Sequence, residues 1–175
     1  MRTQSVCLTN RAAWAVGMLL FAAGVSGCGG PAAQRYDVVV YGGTAAGAVA
    51  AVAAAQEGAR VALLEPRRHV GGMVSGGLGK TDHANKAVIG GMSREFFKRV
   101  GSHYGEEVTW YFEPHVAENV FRDWLAETDV EVFFDHRLDR VHKVGGRIDR
   151  IRMQNGAVFA ARVFIDCTYE GDLMA

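Results

Sequence analysis

The clearest pattern in the chain is an apolar run, Tyr36-Asp37-Val38-Val39-Val40-Tyr41, rich in β-branched residues. Such a run predicts a strand buried on both faces of a parallel sheet. Six residues, Gly42-Gly43-Thr44-Ala45-Ala46-Gly47, interrupt it. Ala48 to Gln56 is nearly all alanine and valine, which predicts a buried helix, and Gly58 stands where a helix-ending glycine belongs. Arg60-Val61-Ala62-Leu63-Leu64-Glu65 predicts a second strand. The unit is strand, turn, helix, strand.

Periodicity organises the rest. Residues 93–100 predict a helix capped by Ser93, with Phe96, Val100 and Tyr104 on one buried face at four-residue steps. Residues 115–127 predict another, with Pro114 near its first turn and Val116, Val120, Phe121, Trp124 and Leu125 as its apolar stripe. Val130–Phe134 predicts a strand. Then come three alternating segments, 137–144, 147–154 and 157–165, separated by Gly145-Gly146 and Asn155-Gly156. Asn-Gly between alternating apolar positions is a strong hairpin signature.

The amino end reads as an address. Arg2 and Arg11 precede an apolar stretch from Ala12 to Val25, shorter than the roughly 20 residues of a membrane span. Val25-Ser26-Gly27-Cys28 follows. Two outcomes fit: cleavage at the small residues with Cys28 incidental, or lipidation of Cys28 as the first mature residue. The second is favoured because these four residues resemble a bacterial lipobox. Gly29 after the cysteine carries nothing like an inner-membrane retention residue. The expected division is a signal peptide over 1–27, a tether over 28–35 and a folded part over 36–175. The expected place is outside the cytoplasm, in the periplasm or on the outer membrane or cell surface, held to a membrane through a lipid on Cys28.

Composition adds exclusions. With 49% hydrophobic and 22% charged residues the chain can bury a core. Its 19 basic and 19 acidic residues balance, and removal of 1–27 leaves 17 against 19. Nucleic acid is therefore not an expected partner. Cys7, Cys28 and Cys167 form neither a disulfide framework nor a zinc pattern. His69, His83, His103, His115, His136 and His142 show no metal-ligand spacing, so no metal is expected.

Chemistry concentrates at the first turn. A diphosphate seeks N–H donors, and a helix N-terminus offers free amides at the positive end of its dipole. Gly42 suits the tight turn and Gly47 close helix–strand packing. Thr44 replaces the middle glycine of the G-x-G-x-x-G fingerprint. Its hydroxyl can cap the helix or reach a phosphate. Glu65 ends the second strand 18 residues after Gly47, where a carboxylate accepts hydrogen bonds from ribose hydroxyls and repels a 2′-phosphate. A solvated strand-end charge is the plainer alternative for Glu65. Within a complete strand–turn–helix–strand unit, dinucleotide binding outweighs it.

Beyond Glu65 the chain reads Pro66-Arg67-Arg68-His69-Val70-Gly71-Gly72-Met73-Val74-Ser75. A glycine pair there resembles the second fingerprint of glutathione-reductase-like flavoproteins, whose loop follows the FAD diphosphate and ribityl chain. Five blocks resemble an FAD-dependent oxidoreductase family often labelled xanthan-lyase-like: DVVVYGGTAAG (37–47), HVGGMVSGGLGKTD (69–82), IGGMSREFFKRVGSHYG (89–105), FEPHVAE (112–118) and IDCTYEGDLMA (165–175). The family pattern has Pro at Ala45 and Ala at Cys167.

The resemblance implies an α/β fold: a Rossmann-like βαβ FAD-binding domain with a parallel sheet and an inserted β-meander, truncated before the substrate domain. It implies FAD as cofactor, held by Gly42, Gly43, Thr44, Ala45, Ala46, Gly47, Glu65, Pro66, Arg67, Gly71, Gly72, Met73 and Ser75. The Leu138 backbone would contact adenine, and Thr168 would belong to the turn against the dinucleotide. Cys167 is expected as a small buried residue rather than a redox group. The expected activity is redox chemistry on a small organic, carbohydrate-derived molecule, with no catalytic residue assigned. A non-catalytic nucleotide-binding lipoprotein fragment and an NAD-linked dehydrogenase stand as the alternatives.

Overall fold

The computed structural model describes residues 32–82 and 85–174. The expected signal peptide, the first half of the tether (28–31) with Cys28, and His83 lie outside the described residues.

A six-stranded sheet has the order β3-β2-β1-β6-β5-β4. Strand β1 is Gln34–Tyr41, β2 is Val61–Leu64 and β3 is Glu131–Phe133. The meander strands are β4 (Leu138–Val144), β5 (Arg147–Met153) and β6 (Val158–Asp166). Strand β1 pairs in parallel with β2 and β6, and β2 with β3. The β4–β5 and β5–β6 pairs are antiparallel. The long β6 thus serves two roles: its first residues pair with β5, and its whole length lies beside β1. The expected parallel sheet with a meander whose last strand returns to it is what the chain forms.

Three helices join the strands: α1 (Ala45–Gln56), α2 (Gly91–His103) and α3 (Pro114–Ala126), with a short 3₁₀ turn at Lys86–Val88. Helix α1 pushes Ala48, Ala51 and Val52 against Val40, Val61 and Leu63. Alanine's small side chain lets helix and sheet approach closely. Helix α3 buries Val116, Phe121, Trp124 and Leu125 as the sequence pattern predicts, and leaves Val120 half-buried. Phe96 of α2 stacks on Phe121 at 4.6 Å between ring centres.

Two expectations change. Helix α2 starts at Gly91 after Gly90, so Ser93 lies inside its first turn rather than at the cap. Tyr104 follows the helix end and is exposed, while Phe97 takes the buried place beside Phe96 and Val100. The glycine pair ends the preceding loop early, and Phe97 finds its own aromatic partner in Trp110, 4.4 Å away. A second core on the other sheet face gathers Tyr36, Val39, Tyr41, Leu64, Ile151, Met153 and Phe159. It fastens the meander to the parallel strands.

Candidate dinucleotide-binding site

Strand β1 ends at Tyr41, and the chain must reverse at once to place α1 against the sheet. Gly42 makes that reversal at φ +99°, a conformation that side-chain-bearing residues rarely adopt. Gly47 sits so close that a Cβ there would lie 1.9 Å from the Gly42 carbonyl oxygen. The turn is therefore bare backbone by necessity. Thr44 caps α1: its hydroxyl accepts from the Gly47 amide at 3.2 Å. The same hydroxyl donates to the Cys167 carbonyl at 2.8 Å, so its single hydrogen is directed there rather than toward a phosphate. Ala46 is exposed at the mouth of the helix.

Glu65 is buried at the end of β2. One carboxylate oxygen accepts from the Gly43 amide at 2.7 Å and the other from the Arg67 amide at 2.8 Å. The carboxylate thus faces the glycine turn and is not a solvated strand-end charge. An ionised carboxylate can accept about four hydrogen bonds, so two backbone donors leave capacity for two sugar hydroxyls.

The second loop closes against the first. The Gly71 amide donates to the Gly43 carbonyl at 2.7 Å, and Thr44 and Gly71 form a parallel bridge. A Cβ on Gly72 would meet the Thr44 Cα at 3.2 Å and the Tyr169 hydroxyl at 2.2 Å. Tyr169, exposed, accepts from the Met73 amide at 2.8 Å and is the side chain that reaches across the mouth. Pro66 is half-buried, and the Arg67 side chain is exposed with no partner among the described residues.

The third wall is the turn after β6. Asp166 organises it, accepting from the Thr168 amide and hydroxyl and from the Leu173 amide at 2.7–2.9 Å. The Thr168 hydroxyl also accepts from the Gly171 and Asp172 amides. That hydroxyl is saturated, so Thr168 shapes the wall by its internal bonds. Cys167 lies beside Gly47, and burial, with the Asp166 charge second, raises its thiol above the ordinary range. It is half-buried rather than fully buried.

Two further expected site residues have a polar group engaged within the chain. The Ser75 hydroxyl donates to the Val70 carbonyl at 2.5 Å and lies 3.0 Å from His69 Nε2. Leu138, whose backbone is expected at adenine, donates its amide to the buried Tyr41 hydroxyl at 2.8 Å. Sequence reasoning missed Tyr169 and Asp166 as organisers of the site, although both stand in the last family block. No group of histidine, cysteine or acidic residues among the described residues could hold a metal ion.

Three elements therefore meet at one mouth: a bare backbone turn, a buried carboxylate on its amide and a glycine loop bridged to it. These groups fit the adenosine diphosphate portion of a dinucleotide.

Known proteins place this arrangement. Residues 37–175 match the family described as FAD dependent oxidoreductase. The chain is 37% identical over 131 residues to the soluble pyridine nucleotide transhydrogenase of Hahella chejuensis (strain KCTC 2396), which covers 70% of this chain and 27% of that protein. Among solved structures, it is similar to L-proline dehydrogenase from P. horikoshii (TM-score 0.61, 12% identity, 81% of this chain and 55% of that one). It is also similar to thioredoxin reductase from T. acidophilum (TM-score 0.54, 20% identity, 76% and 35%). At those identities the structural likeness shows the fold. The chain spans about a quarter of the length of the transhydrogenase it matches.

Proposed function

The chain belongs to the FAD dependent oxidoreductase family, whose cofactor is FAD, and on that premise we propose that residues 36–175 form the adenosine diphosphate half of the flavin site in an exported oxidoreductase. The observation that carries this reading is Glu65, whose two oxygens hold the glycine turn and the following loop while keeping acceptor capacity toward the mouth. The helix end supplies amide donors and a positive dipole end for the diphosphate. Gly42, Gly43, Thr44, Ala45, Ala46 and Gly47 shape the seat, Pro66, Arg67, Gly71, Gly72 and Met73 line its second side, and Ser75, Leu138 and Thr168 support it from behind.

FAD, when bound, supplies two-electron redox chemistry at its isoalloxazine ring. This chain's residues bind and orient the nucleotide end. The substrate is a small organic molecule, carbohydrate-derived on the family resemblance. Lipidation of Cys28, after cleavage of 1–27, would hold the protein to a membrane outside the cytoplasm. The lipobox-like residues 25–28 support that reading. Purified protein is expected to carry an absorbance band at about 450 nm, the flavin's own signature. Protein that neither retains nor takes up FAD in titration sinks the proposal.

A second reading follows from the name of the Hahella relative, which points to a pyridine nucleotide. Under it, a nicotinamide dinucleotide rather than FAD occupies this mouth. Competition decides between the two: NAD displacing FAD favours the second reading.

A further inference from the structure

The block FEPHVAE lies on the first turns of α3, away from the glycine turn, yet its last residue reaches back to the second loop. Glu118 places one carboxylate oxygen 2.9 Å from His69 Nδ1. Its other oxygen accepts from Arg122 at 2.6 Å. On the far side of the imidazole, Nε2 stands 3.0 Å from the Ser75 hydroxyl. Ser75 is buried, and a Cβ on Gly71 would lie 2.2 Å from its oxygen. A continuous chain, Arg122–Glu118–His69–Ser75, thus ends directly behind the glycine that bridges to Thr44.

Each member of this chain is held on two sides. The Ser75 hydroxyl meets both the Val70 carbonyl, 2.5 Å away, and His69 Nε2. The Glu118 carboxylate is acceptor-only, so His69 Nδ1 donates to it. Around the imidazole stand the Glu118 carboxylate, the Arg122 guanidinium and the neutral Ser75 hydroxyl. Burial alone would raise the Glu118 carboxyl. The hydrogen bonds from Arg122 and His69 overcome that and lower it.

We propose that Glu118 is a positioning residue that, through His69 and Ser75, braces the Gly71–Gly72 loop from behind, so that this loop meets a diphosphate in one conformation. The inference rests on the flavin reading and deepens it: it assigns the FEPHVAE block to cofactor affinity. The helix end and the braced loop then act on the diphosphate from two sides.

The test uses the full-length protein freed of cofactor, titrated with FAD, with ADP and with adenosine, which lacks the diphosphate. Glu118→Gln and His69→Gln should each weaken FAD and ADP by about tenfold, the scale of one charge-assisted hydrogen bond, and leave adenosine within about twofold. The double variant should bind ADP no more weakly than the worse single one, because both changes break one chain. Glu118→Asp, which keeps the charge, should recover most of the loss. Circular dichroism of each variant establishes that it is folded, and Ser75→Ala serves as a further break in the chain where a variant is not. Unchanged ADP affinity in folded variants, an equal loss for adenosine, or losses that multiply in the double variant would overturn the inference. An unaltered protein that takes neither FAD nor ADP would instead overturn the flavin reading on which it stands.

Discussion

Glu65 combines burial, charge and complete engagement by backbone in a single side chain. Replacing it with alanine strands the Gly43 and Arg67 amides, each at a cost of about 1–3 kcal/mol when buried. Glu65→Ala is therefore expected to lower the unfolding midpoint and to abolish FAD uptake, measured by denaturant titration and by flavin fluorescence. Gly47→Ala tests the turn itself. A Cβ 1.9 Å from a carbonyl forces the backbone apart, and overpacking of this kind costs about 1–3 kcal/mol. Thermal melting checks this, and an unchanged melting temperature would contradict the close approach described above. These two residues were legible in the sequence because their roles are local: strand, turn, helix and acid lie within 30 consecutive positions. Ser75, Leu138 and Thr168 were less legible. What their polar atoms bond to depends on how the loop folds at Val70, on Tyr41, 97 residues earlier in the chain, and on a side chain, Asp166, that bends back over its own turn.

Among the elements, β4 joins the parallel strands through one buried hydroxyl. Tyr41 is fully buried, and its oxygen accepts the Leu138 amide. Burial raises its phenol above the ordinary range, partly offset by that hydrogen bond. Tyr41→Phe leaves the amide without a partner and is expected to cost about 1–3 kcal/mol, read as a lower denaturation midpoint. Helix α3 contributes a pH dependence. The Glu118 carboxyl is lowered in the folded chain, so its contribution to stability is present above the unfolded value of 4.5 and is lost as pH falls through the lower folded value. Acid titration of the unaltered protein should show this loss, and Glu118→Gln should remove that part of the acid sensitivity. The helices were legible from apolar spacing, α3 most fully, since its stripe is regular and Pro114 marks its start. The start of α2 was not, because Gly90-Gly91 resembles a loop in composition and Ser93 resembles a cap. The helix starts at Gly91, with Gly90 as its cap, and Phe96 and Phe97 pack on Phe112 and Trp110.

At the scale of the molecule, the order of strands was legible only through resemblance. A meander looks like any set of hairpins until its last strand is known to lie beside the first. The pairing of β6 with β1 joins residues more than 120 positions apart, and no local pattern encodes it. Localisation belongs to this scale too. Export with lipidation predicts that fatty-acid label enters the intact protein in cells and is lost in Cys28→Ser, with the protein then recovered from the soluble fraction; label that persists in the variant would remove the anchor from the account.

The direction of β1 has a consequence for where the nucleotide seat lies. The strand begins at Gln34, and the mouth opens just past its other end at Tyr41. Seven steps of about 3.3 Å separate its first and last residues by about 23 Å. If the proposed lipid on Cys28 ties down the amino end, the nucleotide seat lies at the far end of β1 from the attachment side.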